Sequence, residues 1–151
     1  LDIVLVQDEG AQTQRFAHLD ASVAADARLT VTSLASGGAL ARQELRVSLD
    51  GPGASVDLTG LQLGRGDAVR DVLVHVQHRA PDTASTQVFR TVLDGSAVGI
   101  FNGKITVHPG ASRTDARQES RNLLLSEDAE AHTRPQLEIL HDDVKCAHGA
   151  T

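Results

Sequence analysis

Val56-Asp57-Leu58-Thr59-Gly60-Leu61-Gln62-Leu63 places apolar side chains at every second position. Successive Cβ atoms of a strand point to opposite faces, so this stretch reads as a strand with one buried face. The same alternation occurs in Leu29-Thr30-Val31-Thr32 and in Leu45-Arg46-Val47-Ser48-Leu49. Further strands are expected over Val69–His78, Thr86–Leu93, Ala97–Phe101, Lys104–Val107, Ser120–Leu125, Gln136–Leu140 and Val144–His148. Turn residues punctuate them: Asp50-Gly51-Pro52-Gly53, Gly64-Arg65-Gly66-Asp67, Ala80-Pro81-Asp82, Asp94-Gly95, Asn102-Gly103 and Pro109-Gly110.

Working outward, Ala11–Ala27 is rich in Ala and Gln, yet Ala17, Leu19, Ala21 and Val23 alternate, so it too is assigned as strand. No amphipathic helix is apparent, and the chain is all-β. Many short strands suit a sandwich, a barrel or a β-solenoid. With Trp 0, Tyr 0 and Phe 3, the wide core of a sandwich, which normally contains large rings, is poorly supplied. A solenoid needs only a narrow lumen, for which Val47, Leu49, Val56, Leu58, Val72, Val74 and Leu137 are the expected lining. No exact repeat of fixed period is present, so the pattern leaves these architectures open.

The 151 residues make one domain's worth of chain, 40% hydrophobic and 23% charged, which excludes a disordered tail and a membrane span. A net charge of -6 offers no basic surface for a phosphate backbone, so nucleic acid is not an expected partner. The lone Cys146 forms no internal disulfide, which points to a reducing cytoplasm. With Met 0, the sequence reads as a piece of a longer protein.

Enzyme motifs are missing: no phosphate-binding loop, no His-Glu-x-x-His, no Cys-x-x-Cys and no Gly-x-Ser-x-Gly. Arg65-Gly66-Asp67 is assigned as an ordinary turn. His75 and His78 stand three apart, and on an unbroken strand they face opposite ways, so they cannot share a metal. His108 and His132 are expected in solvated loops. The stretch Asp142-Asp143-Val144-Lys145-Cys146-Ala147-His148-Gly149 differs, because a strand there puts Val144, Cys146 and His148 on one face. A thiolate and an imidazole side by side suit a borderline metal, with further ligands supplied from elsewhere. The alternative is a small buried hydrophobe beside a satisfied polar group.

This stretch, preceded by Thr133-Arg134-Pro135-Gln136-Leu137-Glu138-Ile139, closely resembles the end of the core domain in the SufB/SufD family of the SUF iron-sulfur cluster assembly system. Val98-Gly99-Ile100-Phe101-Asn102-Gly103-Lys104-Ile105, Thr114-Asp115-Ala116-Arg117-Gln118 and Asn122-Leu123-Leu124-Leu125-Ser126 agree with it in order and spacing. The resemblance covers the last third of the chain by motif. It implies a right-handed parallel β-helix core, residues 1–151, lacking flanking helical regions at both ends. It also implies a non-enzymatic scaffold of the SufD branch that pairs with SufB and, through regions outside this chain, carries the ATPase SufC; the Glu-His-Glu pattern of SufB-like chains is absent, and a SufB-like paralogue is the alternative within the family. By motif match, Cys146 and His148 become candidate iron or cluster ligands at a subunit interface, for a transient iron-sulfur cluster on the assembled complex and none on the isolated piece. His141, where relatives often have a small residue, is either a third ligand or a surface substitution. A homodimer is a further expectation, since cut solenoid ends attract other chains. The other classes weighed are a polysaccharide-active β-helix enzyme, disfavoured by the 2% aromatic content, and a self-sufficient metal-binding module.

Overall fold

A computed structural model covers residues 1–151 and contains strands and turns but no helix. Eleven strands run in order: β1 (Asp2–Gln7), β2 (Gln14–Val23), β3 (Arg28–Ala35), β4 (Leu40–Leu49), β5 (Ser55–Gly64), β6 (Val69–His78), β7 (Ala84–Leu93), β8 (Val98–Val107), β9 (Thr114–Leu124), β10 (Glu130–Ile139) and β11 (Val144–Ala150). Odd strands form one parallel sheet, β1-β3-β5-β7-β9-β11, and even strands the other, β2-β4-β6-β8-β10. Each strand therefore hydrogen-bonds to the strand two elements away, and the chain winds as a β-solenoid of about five turns.

Alternation decides which side chains enter the lumen. Val47, Leu49, Val56, Leu58, Val72 and Val74 are all buried in one cluster that also holds Phe89 and Phe101. Leu137, on the edge strand β10, is only half-buried against Ile105, Val107, Ala111 and Ala116, because no coil covers that end. The scarce aromatics are used once. Phe89 and Phe101 stack with ring centroids 4.9 Å apart, and Gly60 clears the space, since a Cβ there would lie 2.4 Å from the Phe89 ring.

Two expectations are corrected. Asn102-Gly103 is not a turn; it lies inside β8, which runs unbroken from Val98 to Val107 in place of two short strands. The glycine serves close packing, because a Cβ at Gly103 would lie 2.3 Å from the Gln118 side-chain nitrogen. His132 sits on β10 rather than in a loop. β1 went unanticipated, for Ile3-Val4-Leu5-Val6 is an apolar run without alternation, and on the edge of the sheet its Val4 and Val6 are exposed. The stretch assigned as strand within Ala11–Ala27 is β2.

Candidate functional site

β11 closes the six-stranded sheet, pairing Cys146 with Ala116 and His148 with Gln118 on β9. Val144 and Cys146 are half-buried and pack on the apolar cluster of Ile105, Val107, Ala111 and Ala116, while Lys145 and Ala147 are exposed. Alternation then sets His148 in the same inward row as Cys146. His148 is exposed. The two candidate ligands thus share a face as the spacing requires.

The thiol is not primed on its own. Burial pushes the Cys146 pKa up, and the neighbouring Asp115 carboxylate adds to the rise. A thiol held protonated is a poor ligand until a cation displaces its proton. His141 lies before β11 begins, whereas His148 stands near its end, so about 13 Å of strand separates His148 from Val144 at 3.3 Å per residue. The fold does not bring the two histidines together. No three His, Cys, Asp or Glu side chains converge as a metal site anywhere in the chain.

Four other histidines make polar contacts within the solenoid. His78 is fully buried on β6, with Nδ1 2.8 Å from Thr83 Oγ1 and Nε2 2.9 Å from Ser85 Oγ. Burial holds its pKa down at about 4, so the ring is neutral. His75, on the opposite face, lies 3.0 Å from Thr106 Oγ1. His108 is half-buried 3.2 Å from Gln77 Oε1, not freely solvated, and the exposed His132 lies 3.1 Å from Glu130 Oε2.

Two further buried polar residues lie in register with His148, Gln118 on the next strand and Gln87 beyond it. Gln87 and Gln118 occupy inward positions on β7 and β9, both buried, and Gln118 Nε2 donates to Gln87 Oε1 at 2.7 Å. A signal was present: each falls on the buried parity of its strand, where an apolar residue is the default.

The chain is similar to proteins of known family. Residues 1–151 match the family model described as SUF system FeS cluster assembly, SufBD core domain. The chain is 35% identical over 143 residues to the iron-sulfur cluster assembly protein SufD of Escherichia coli, covering 95% of this chain and 34% of that protein. A SufBD family assembly protein of Synechocystis is 34% identical over 115 residues, covering 76% of this chain and 25% of its own. SufD of Bacillus subtilis is 34% identical over 108 residues, covering 72% and 25%. The chain therefore spans between a quarter and about a third of the length of these relatives. With a family match along its whole length and a 35% identical SufD relative, the chain belongs to the SufB/SufD family of the SUF iron-sulfur cluster assembly system, as its core domain.

Proposed function

We propose that this chain is the scaffold core of a SufD-type subunit, a non-enzymatic part of the cytoplasmic machinery that builds iron-sulfur clusters. Its open C-terminal end pairs with a SufB-type subunit, and regions outside these 151 residues carry the SufC ATPase. Iron, sulfide and the nascent cluster are cargo. The observation that carries the reading is the inward row of β11, where Cys146 and the exposed His148 stand together. Two donors from one chain leave a borderline metal incompletely coordinated, which suits a site completed across an interface. The relatives are named as assembly proteins, which supports a scaffold role over catalysis.

Anaerobic reconstitution of the full complex with iron and sulfide tests this. His148→Ala abolishes the cluster's visible absorption while leaving fold and subunit pairing intact. Its stability cost stays at about 1 kcal/mol, the worth of one hydrogen bond, because an exposed side chain buries little apolar area. Wild-type accumulation of clusters on the variant removes the ligand assignment; loss of pairing makes His148 an interface residue first.

A further inference from the structure

Gln87, Gln118 and His148 share one inward row on β7, β9 and β11, Gln87 pairing with Gln118 and Gln118 with His148. The preceding member of the row, on β5, is the apolar Leu58. A polar column therefore starts at Gln87 and runs toward the open end. Its first link is the Gln118 Nε2 to Gln87 Oε1 hydrogen bond of 2.7 Å. Stacked amides of this kind bond along the stacking axis, with donors aimed one way and carbonyls the other. The Gln118 Nε2 points down the column, so its Oε1 is presented to the coil that carries His148.

That oxygen has no partner although Gln118 is only 3% exposed. A buried acceptor left unmade is costly, and the column ends one donor short. The amide is also given dedicated space, since any side chain at Gly103 on the facing sheet would collide with it. Adjacent strands lie about 4.8 Å apart, which brings a ring on β11 within one hydrogen bond of an amide on β9. His148 is exposed and not locked by packing, so its ring is able to turn to that acceptor.

Building on the reading of His148 as an iron or cluster ligand, we infer that Gln118 is its positioning residue. Gln118 Oε1 accepts the ring N–H of His148, fixes one tautomer, and directs the other nitrogen's lone pair out of the open end toward a cation. Metal-ligating histidines are oriented in this way by the partner of their second nitrogen. The buried neutral acceptor suits the task because it orients the ring without adding charge.

The test uses the full-length protein in complex with its SufB-type partner, with histidine of this chain labelled with nitrogen-15. Magic-angle-spinning spectra are taken where imidazole is neutral, and His148 is assigned by its loss in His148→Ala. The expected wild-type result is a single tautomer. Gln118→Met, which keeps the shape and removes the acceptor, releases the ring to the mixture of free imidazole and weakens ferrous-ion binding about 10- to 100-fold. Gly103→Ala, crowding the same amide from the facing sheet, releases it too. A mixed tautomer in the wild type overturns the inference even where Gln118→Met fails to fold, and an unchanged tautomer in folded Gln118→Met does likewise. Full ferrous-ion binding by His148→Ala, with the tautomer still released by Gln118→Met, removes the ligand reading and leaves the Gln118–His148 hydrogen bond standing.

Discussion

His78 shows how one buried side chain ties stability to pH. Its two ring nitrogens face the Thr83 and Ser85 hydroxyls, which serve a neutral imidazole with one donor and one acceptor. No carboxylate pairs with it, and burial brings the folded pKa to about 4 from the ordinary 6.5. Between those values the unfolded chain binds a proton that the folded chain does not, so stability rises with pH through this window and is level above it. The full contribution is about 3 kcal/mol, lost as pH falls from about 6.5 to about 4. Urea midpoints measured at pH 7 and pH 4.5 should fall accordingly. His78→Gln should flatten the change; equal losses in both proteins would show that another group is responsible. Asp50, Asp82 and Glu138, whose pKa values are lowered by hydrogen-bonded neighbours, begin to lose their contribution only below about pH 5.

At the scale of an element, the corners decide whether coils stack in register. One corner repeats a left-handed residue in successive turns, Asp26, Gly53, Asp82 and Arg113, and Gly38, Gly66 and Gly95 do the same at the other. Two of the corner residues pair with each other: Arg113 and Asp82 form a two-pronged ion pair at 2.5 and 2.6 Å. Gly66 and Gly95 differ in a way that stability should report. Both have positive φ, 63° and 72°, but a Cβ at Gly66 meets nothing within 4 Å, whereas one at Gly95 lies 3.0 Å from the Gly66 backbone. Gly66→Ala should cost about 1 kcal/mol, the strain of a left-handed alanine. Gly95→Ala should cost about 2 to 3 kcal/mol, because rigid backbone must also move. Chemical denaturation of the two variants decides it, and equal costs would mean that the corner yields freely.

Taken whole, the molecule is a column with a lateral surface and two ends. The ends are its weak points. β10 and β11 at one end, and β1 and β2 at the other, are edge strands whose outer row of backbone groups lacks a neighbouring strand. At the β10 and β11 end, Leu123 and Leu124 lie beyond the last residue of β9 paired with β11, and both are exposed together with Leu140. Open edges and uncovered apolar groups are templates for association. Residues 1–151 expressed alone should therefore sediment as dimers or larger species at tens of micromolar or above. Leu124→Lys with Leu140→Lys should reduce that association while leaving the circular dichroism unchanged. A clean monomer across the concentration range would contradict the idea.

Much of this was legible in the sequence, because period two is a local property. The parity of Val56 and Leu58 on β5, or of Val72 and Val74 on β6, is set by the pleat whatever the neighbouring strand is. The left-handed corners at Gly53, Gly66, Asp82 and Gly95 likewise announce themselves through Gly and Asp, whereas Arg113 does not. Nor does it take a fold to put Cys146 and His148 on one face; two residues of strand do that. What local pattern could not decide is which strand lies beside which, since hydrogen bonds between coils join residues 26 to 32 apart with no exact repeat to mark them. That pairing turned Asn102-Gly103 from an apparent turn into the clearance for Gln118, and left His141 apart from His148. It also placed a buried amide with an unfilled acceptor beneath His148. These relations depend on contacts across the lumen and between successive coils, and such contacts exist only once the chain has wound upon itself.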